Sequence, residues 1–215
     1  TLSRINLIYR RGLIRRLKSA LSPFKGDYQL MKNEFSSNAN FLEYYYPSPV
    51  NEEILPTLST PVLKKYKKNC NHIIMVGHSG FPENNHLEIF YQLRRFKHNF
   101  ILLVPLSYGK KDYINEIIKK GRELFGDQFI PLTEYIDPRT YIELLSEVDV
   151  ALFNGNRQIG VGNIRSLIYL GKKVYLKPST TTFSSFIDRG VTIFDITQLD
   201  NISFDELMTI DFDTE

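Results

Sequence analysis

The sequence predicts an α/β fold, a Rossmann-like parallel sheet with helices on both faces, and two observations support this. From residue 73 onward, short apolar runs alternate with longer amphipathic stretches. This alternation is typical of parallel strands joined by helical crossovers. The first run, residues 73–76, is apolar at every position, as expected for a strand that is buried on both faces.

The remaining elements follow from the same alternation. We predict strands at residues 73–76, 100–105, 129–132, 148–153, 173–176 and 191–194. We predict helices at residues 84–96, 112–125, 138–147, 162–170 and 183–188, with Asp137 as the N-cap of the third. Parallel sheets bind ligands at the carboxyl ends of their strands. We therefore expect one ligand-binding edge, built from residues 77–80, 107–109, 133–135, 154–162 and 178–182.

The first 60 residues follow a different pattern. Apolar residues at helical spacing over residues 13–21 are interspersed with basic ones, which predicts a basic amphipathic helix. This helix either packs on a neighbouring domain or lies on an anionic membrane surface through its arginines, Arg10, Arg11, Arg15 and Arg16. We predict a βαβ remnant of a preceding Rossmann-like domain, with strands at residues 27–31 and 41–46 and a helix at 32–37. A proline-rich linker follows, so we divide the chain into residues 1–60 and 61–215.

Charge and cysteine content limit the function classes. The 215 residues carry a net charge of +3, but seven of the basic residues lie within residues 1–25, which contain no acidic residue. Such a local charge argues against a nucleic-acid partner. The single cysteine, Cys70, excludes an internal disulfide and suits a reducing compartment. The pair Asp211 and Asp213 has the D-x-D form of metal-dependent transferases, but it lies in an acidic tail and we interpret it as solvated.

The segment after the first predicted strand is the first candidate site. Gly77, Ser79 and Gly80 lie between an apolar strand and a helix. Glycines allow backbone N–H groups to approach an anion, and a helix N-terminus favours negative charge. The segment matches neither the G-x-G-x-x-G nor the P-loop pattern. A tight structural turn therefore remains an equal alternative to a phosphate cradle.

Several sequence features form a known family pattern. The stretch FIPLTEYIDPRTYIELLSEVDVALF, followed by GNIRSLIYLGKKVYL, resembles the donor-binding domain of GT-B glycosyltransferases in its succession of strands, loops and helices. More specific matches are Gly77, Ser79, Gly80, Asn84 and His86 in the first loop, Pro105 and Tyr108 in the second, and Arg157, Gln158, Gly160 and Gly162 in the fourth. On these residues the chain resembles the TDP-N-acetylfucosamine:lipid II N-acetylfucosaminyltransferase family, also called 4-alpha-L-fucosyltransferases, over about residues 15–200.

The resemblance implies an activity and a location. It implies a glycosyltransferase that moves a deoxy-amino sugar from a dTDP-sugar to a lipid-linked saccharide in surface polysaccharide synthesis, without a metal or cofactor. It implies a cytoplasmic protein, peripheral on the inner face of the cell membrane. Residues 61–215 would bind the nucleotide-sugar and residues 1–60 would end an acceptor-side domain, so we expect the chain alone to be incomplete for catalysis. The alternatives are another GT-B enzyme, such as a UDP-sugar epimerase, and a nucleotide-binding domain without activity.

The resemblance also implies a set of donor-binding residues. The catalytic base stays unassigned, and Ser166 stands where many GT-B enzymes carry a ribose-binding Glu. Arg157 is suited to phosphate oxygens, although a solvated loop arginine is the alternative. For Asn84 and His86, the alternative to a contact with sugar or phosphate is helix capping and first-turn packing. The predicted donor-binding residues are Gly77, Ser79, Gly80, Asn84, His86, Tyr108, Tyr135, Arg157, Gln158, Gly160, Gly162 and Asn163.

Overall fold

A computed structural model describes residues 2–44, 72–96 and 100–209 of the chain. The predicted proline-rich linker, Cys70 and the Asp211 and Asp213 pair lie outside these residues. Within them the helices are α1 (Leu2–Arg15), α2 (Lys25–Phe35), α3 (His86–Leu93), α4 (Lys111–Phe125), α5 (Pro138–Glu147), α6 (Val161–Tyr169), α7 (Thr181–Ile187) and α8 (Phe204–Met208). The strands are β1 (Ser19–Ser22), β2 (Asn40–Glu43), β3 (His72–Val76), β4 (Phe100–Pro105), β5 (Phe129–Leu132), β6 (Val150–Phe153), β7 (Lys173–Leu176) and β8 (Phe194–Asp195).

The main sheet has six strands in the order β5-β4-β3-β6-β7-β8, and every pair is parallel. The order reverses between β3 and β6, so the loops that follow these two strands leave the sheet in opposite directions around one crevice. This arrangement confirms the predicted parallel sheet. The bounds of β4, β5, α5 and β7 agree with the prediction, and Asp137 caps α5 by accepting a hydrogen bond from Thr140 N.

The two faces of the sheet are covered by different helices. Side chains alternate along each strand, so Ile74 and Val76 contribute to one core and Ile73 and Met75 to the other. The first core is completed mainly by α3, α4 and α8, and the second by α5, α6 and α7. Each strand of the sheet centre is therefore apolar at nearly every position, which explains the continuous apolar runs in the sequence.

The N-terminal βαβ unit is present, but its boundaries differ from the prediction. Residues 27–31, predicted as a strand, lie within α2, and the first strand is β1, which pairs in parallel with β2. The partly buried residues Tyr28, Met31 and Phe35 recur at helical spacing, which explains why this segment is a helix. The predicted basic helix over residues 13–21 was wrong at its end, since α1 stops at Arg15 and the last residues pair as β1.

Two further boundaries differ for local reasons. The predicted helix at residues 84–96 starts only at His86, because Asn85 adopts a left-handed conformation (φ 50°) after a 3-10 turn at Pro82–Asn84. The predicted strand at residues 191–194 is reduced to β8, because Val191 N donates to Phe186 O and closes the end of α7.

The N-terminal unit packs on the C-terminal half of the chain through α7. Phe24 meets Phe186 edge to face at 6.2 Å. Thr181 donates a hydrogen bond from its hydroxyl to Asp27, and Arg189 forms an ion pair with Glu43. Among the helices of the described residues, none combines the length and apolarity that a bilayer-crossing helix requires.

Candidate nucleotide-binding edge

A cavity of about 270 Å³ opens at the carboxyl ends of β3, β4 and β5. Its walls are mainly aromatic and aliphatic, with a few polar groups, and the described residues that line it include no lysine or arginine. This composition is typical of pockets that bind small organic ligands. The lining residues are His78, Pro105, Ser107, Tyr108, Leu132, Glu134, Tyr135, Ile136, Tyr141 and Asn163.

The first loop, residues 77–80, lies beneath this cavity, and the backbone N–H groups of Gly77, His78 and Gly80 donate to acceptors within the protein. Gly77 N donates to Leu152 O at 2.9 Å, and Gly80 N donates to Tyr108 O at 2.7 Å. His78 N donates to the side-chain oxygen of Asn84 at 3.1 Å. The predicted role of Gly77 and Gly80 as backbone donors to a diphosphate is therefore not supported by the geometry, because both N–H groups already have acceptors.

Asn84 holds the first loop together. Its side-chain oxygen accepts from His78 N and lies 2.8 Å from His78 Nδ1, and its amide nitrogen donates to Ser79 Oγ at 3.1 Å. Asn84 and Ser79 are both buried. These two predicted donor-binding side chains are therefore buried inside the turn, Ser79 within the loop and Asn84 behind it, where their hydrogen bonds fix the shape of the loop.

His86 is the second support of the loop. It is fully buried, and its Nδ1 lies 3.1 Å from the hydroxyl of Tyr113. Burial lowers the pKa of His86 to about 3, with a smaller contribution from His78, so the ring is neutral near pH 7. A Cβ at Gly77 would lie 2.5 Å from His86 Nε2, which explains why a glycine occupies this position. His86 packs against the loop backbone from below.

The first and second loops are joined to each other. Gly80 and Gly109 form a parallel bridge, and Lys110 N donates to Gly80 O at 2.9 Å. Gly109 has a φ of 143°, and a Cβ there would lie 2.2 Å from Gly80 O. The close approach of the two backbones thus requires a glycine. It fixes Tyr108, whose side chain is exposed at the cavity rim, relative to the first loop.

Tyr141 and Asn163 form a hydrogen-bonded pair in the cavity wall. Asn163 Nδ2 donates to Tyr141 Oη at 2.9 Å. Burial raises the pKa of Tyr141, so its hydroxyl stays protonated across the physiological range. His78, a third polar wall residue, is also neutral near pH 7, because burial lowers its pKa and the nearby charge of Arg157 adds to this.

The fourth loop, residues 154–160, adjoins the cavity and carries charge. Gly160 (φ 61°) lies against the His78 ring and precedes α6. Arg157 is exposed, and its guanidinium lies 3.7 Å from the carboxylate of Glu83. An exposed pair at this distance contributes little to stability, so Arg157 is free to turn to a stronger anion.

Lys177, at the end of β7, adds a second cation that the sequence analysis missed. Its Nζ donates to Asn156 Oδ1 at 2.8 Å and lies 3.8 Å from the carboxylate of Glu88. Asn154 Nδ2 donates to the same carboxylate at 2.7 Å. Lys177 lies between an apolar strand and residues 178–182 of the predicted ligand edge, and that position was the signal that could have identified it.

The predicted site residues thus divide into three groups. Tyr108, Tyr135 and Asn163 line the cavity. Arg157, Gln158 and Gly160 belong to the adjoining fourth loop, and Gly162 lies in the first turn of α6. Gly77, Ser79, Gly80, Asn84 and His86 form the support beneath the cavity. His78, Ser107, Glu134 and Tyr141 line the cavity but were not among the predicted donor-binding residues.

Solved structures with a similar architecture include GT-B glycosyltransferases. WaaG, a glycosyltransferase involved in lipopolysaccharide biosynthesis, is 14% identical and superposes with a TM-score of 0.61 over 85% of this chain and 51% of its own. A UDP-forming trehalose-phosphate synthase from Burkholderia xenovorans is 10% identical, with a TM-score of 0.66 over 85% and 51% of the two chains. The trehalose-phosphate synthase from Burkholderia vietnamiensis is 8% identical and superposes with a TM-score of 0.65 over 85% of this chain and 49% of its own. The chain spans about half the length of these proteins.

The family is identified by sequence. The pattern of the 4-alpha-L-fucosyltransferases, glycosyl transferase group 56, matches residues 4–206 and so covers almost the whole chain. The parallel sheet flanked by helices agrees with the GT-B architecture of the structural relatives. The chain therefore belongs to the 4-alpha-L-fucosyltransferase family of glycosyltransferases.

Proposed function

We propose that the carboxyl edge of the sheet binds a nucleoside diphosphate sugar, and that the whole protein transfers the sugar to a lipid-linked saccharide. The donor we propose is a dTDP-linked deoxy-amino sugar of the N-acetylfucosamine type, used in surface polysaccharide synthesis. The observation that carries the proposal is the contact between a mainly aromatic and aliphatic cavity and a cationic loop. The two meet where Gly160 lies against His78.

The two regions match the two ends of such a donor. The described lining of the cavity has no lysine or arginine, so it suits the uncharged, flat part of the ligand. Arg157 and Lys177 lie on the fourth-loop side, and a guanidinium and an ammonium both suit phosphate oxygens. Their acidic partners, Glu83 and Glu88, are held at 3.7 and 3.8 Å, longer than a good charge-assisted hydrogen bond. A diphosphate with two or more charges would compete well for both cations.

The same residues suit the transfer step. When the bond from the anomeric carbon to the diphosphate breaks, negative charge develops on the leaving oxygen. Arg157 and Lys177 would stabilise that charge, and preorganised groups of this kind provide a large part of catalysis. The first loop would act as a support that keeps His78 and the second loop in place. We assign Gly77, Ser79, Gly80, Asn84 and His86 to this supporting role in donor binding.

A thermal-shift series tests the donor site. We expect dTDP, and at least one of UDP, GDP and CDP, to raise the melting temperature of the chain at millimolar concentration. Ligand at 100 times its Kd would stabilise the fold by about 2.7 kcal/mol. Inorganic diphosphate is the control for nonspecific anion binding. If all four nucleotides leave the melting temperature unchanged, the donor-site proposal is wrong.

We also propose that α1 contacts an anionic membrane surface, where a lipid-linked acceptor would lie. Ile8, Tyr9 and Leu13 are 71%, 72% and 53% exposed, and together with Arg16 they line a groove of about 360 Å³. Exposed apolar side chains beside exposed arginines suit the interface of an anionic bilayer. Arg15 has a different role, since its Nε donates to Phe35 O. We propose that the protein lies on the cytoplasmic face of the cell membrane, where the anionic lipids are concentrated.

Liposome co-sedimentation tests the membrane contact. Each basic residue near an anionic surface contributes about 1 kcal/mol, so charge reversal at Arg10, Arg11 and Arg16 should abolish pelleting with anionic vesicles. Reversal at three exposed basic residues of α4, Lys111, Lys119 and Arg122, is the matched control and should have little effect. Equal pelleting of the wild-type chain with neutral and anionic vesicles would contradict the proposal.

A further inference from the structure

The β7–α7 turn, residues 177–182, contains one buried hydroxyl that differs from its neighbours. Thr182 is 2% exposed, and its Oγ1 has no hydrogen-bond partner among the described residues. The hydroxyl of Thr180, by contrast, donates to Lys177 O at 2.8 Å and accepts from Phe183 N at 3.3 Å. A buried hydroxyl without a partner has lost its hydrogen bonds to water and gained none in the fold. The Thr182 hydroxyl is therefore available to a ligand.

Thr182 lines a small cavity that also reaches two cations. The cavity has a volume of about 10 Å³, and its walls include Gly155, Arg157, Lys177, Thr180 and Thr182. This volume admits one water-sized group, and thus a single oxygen of a phosphate but not the whole phosphate.

Lys177 can contribute charge at this cavity. Its Nζ has three N–H groups, and one of them donates to Asn156 Oδ1 at 2.8 Å. The carboxylate of Glu88 lies 3.8 Å from Nζ, beyond the range of a hydrogen bond. An ammonium and a hydroxyl at one small cavity suit a negatively charged oxygen, which accepts hydrogen bonds from both.

The position of the β7–α7 turn determines which phosphate it can reach. Along the sheet order β5-β4-β3-β6-β7, the large cavity lies at the first three strands and the fourth loop follows β6. The turn after β7 is therefore the part of this edge that lies farthest from the large cavity. A donor that extends along the edge from that cavity would bring its second phosphate, which carries the sugar, to the turn.

The N-terminal unit holds the β7–α7 turn from the other side. Thr181, next to Thr182, donates a hydrogen bond from its hydroxyl to the carboxylate of Asp27 in the first turn of α2. A Cβ at Gly26 would lie 3.0 Å from Thr181 Cβ, so α2 packs closely on the turn. The ion pair that joins the end of β2 to the residues after α7 is a second tie, but neither of its members lines the small cavity.

We infer that Thr182 and Lys177 bind the sugar-bearing phosphate of the donor, and that Asp27 positions the turn that carries them. This inference rests on the proposed function, because it assumes that the edge binds a nucleoside diphosphate sugar. One phosphate oxygen enters the small cavity, where Thr182 and Lys177 both donate to it. Through Asp27, the phosphate that releases the sugar is tied to the N-terminal unit.

Calorimetric titration with dTDP and dTMP tests the phosphate contact, since dTMP lacks the second phosphate. We expect the wild-type chain to bind dTDP at least about tenfold more tightly than dTMP. Thr182→Val keeps the shape of the side chain and removes the hydroxyl. It should weaken dTDP binding about tenfold and leave dTMP binding unchanged, because a hydrogen bond to a charged group is lost. Its free energy of unfolding without nucleotide should not fall, because the hydroxyl has no partner among the described residues.

Thr182→Ser should show the opposite pattern. It keeps the hydroxyl, so dTDP should bind within about threefold of wild type, but it loses a buried methyl group and therefore stability. Wild-type affinity for dTDP in Thr182→Val would overturn the inference, and so would equal loss of dTDP and dTMP affinity. Equal binding of the two nucleotides by the wild-type chain would also overturn it. Failure of both to bind would instead remove the proposed function itself.

Two variants of Asp27 test its positioning role. Asp27→Ala removes the acceptor of Thr181 and should weaken dTDP binding about 3- to 10-fold without changing dTMP binding. Asp27→Asn keeps a side-chain oxygen and should restore most of the affinity. Glu43→Ala breaks the ion pair with Arg189 and is the matched control, with an unchanged Kd for dTDP. Equal losses in Asp27→Ala and Glu43→Ala, or no loss in Asp27→Ala, would overturn the positioning role.

Discussion

The first and fourth loops follow adjacent strands, both contain glycines and both lie at the same edge of the sheet, but they use their polar groups differently. In the first loop, the N–H groups of Gly77 and Gly80 donate to backbone carbonyls elsewhere in the chain. The Asn84 side chain accepts a hydrogen bond from His78 N and donates one to Ser79 Oγ. In the fourth loop, Arg157 is exposed and only loosely paired. The comparison shows that a glycine-rich turn at the carboxyl edge of a parallel sheet can use its polar groups to fix its own shape.

The largest expected effect is on the first loop. Gly77→Ala places a Cβ 2.5 Å from the His86 ring at a φ of 68°, so it combines backbone strain with a steric clash. We expect the free energy of unfolding to fall by about 2–5 kcal/mol, measured by urea denaturation. Gly171→Ala is the matched control, because Gly171 has a φ of 70° but no atom of the described residues within 4 Å of the position that the new methyl group would occupy. It should lose only about 1–2 kcal/mol. Equal losses would mean that contact with His86 does not matter.

The second prediction concerns the acid stability of the first loop. The pKa of His86 is about 3 in the folded chain, below the ordinary value of 6.5, because the ring is buried. The unfolded chain therefore binds a proton that the folded chain does not, and stability is lost as the pH falls from 6.5 towards 3. We expect this group to contribute a slope of up to about 1.4 kcal/mol per pH unit.

The variant His86→Gln isolates that slope. The free energy of unfolding of both proteins is measured by urea denaturation between pH 7 and pH 4. The two chains share the same carboxylates, so the difference between their pH dependences leaves only the contribution of His86. The wild-type chain should lose stability more steeply than His86→Gln through this range. Parallel stability curves would show that His86 is not buried in its neutral form.

The third prediction moves to the fourth loop, where binding should change but stability should not. Arg157→Ala should weaken dTDP binding about 10- to 150-fold, because a hydrogen bond to a charged group contributes about 1.5–3 kcal/mol. Its free energy of unfolding should stay within about 0.5 kcal/mol of wild type. Arg139→Ala is matched in exposure and also removes an ion pair of 3.7 Å, with Glu143 on α5. It should leave the Kd unchanged. A similar Kd for Arg157→Ala and wild type would return Arg157 to the role of a solvated surface residue.

The main sheet could be predicted from the sequence because the local signals for its strands and helices agree with the positions of these elements in the fold. The bounds of β4, β5, α5 and β7 follow from apolar runs, glycines and the Asp137 cap, all of which act within a few residues. The N-terminal unit was less predictable, because β1 is short and half exposed and its partner β2 lies about 20 residues away. Nothing within residues 19–22 distinguishes a strand from the end of α1.

The role of the first loop was not predictable from its own residues. The acceptors of the Gly77 and Gly80 N–H groups are the carbonyls of Leu152 and Tyr108, which are distant in sequence and meet the loop only in the folded sheet. A glycine that bonds to the protein and a glycine that bonds to a phosphate look identical in sequence. The pairing of Tyr141 with Asn163 joins α5 to α6 and was hidden for the same reason.

Amide hydrogen exchange with and without dTDP tests the central claim most directly, because it compares the two loops in one sample. We predict that the nucleotide slows exchange in residues 154–160 and in the cavity segment 132–136. Exchange in residues 77–80 should change little, since the amides of Gly77, His78 and Gly80 already have acceptors in the protein. Slowed exchange in residues 77–80 with none in residues 154–160 would contradict the account and identify the first loop as the phosphate cradle.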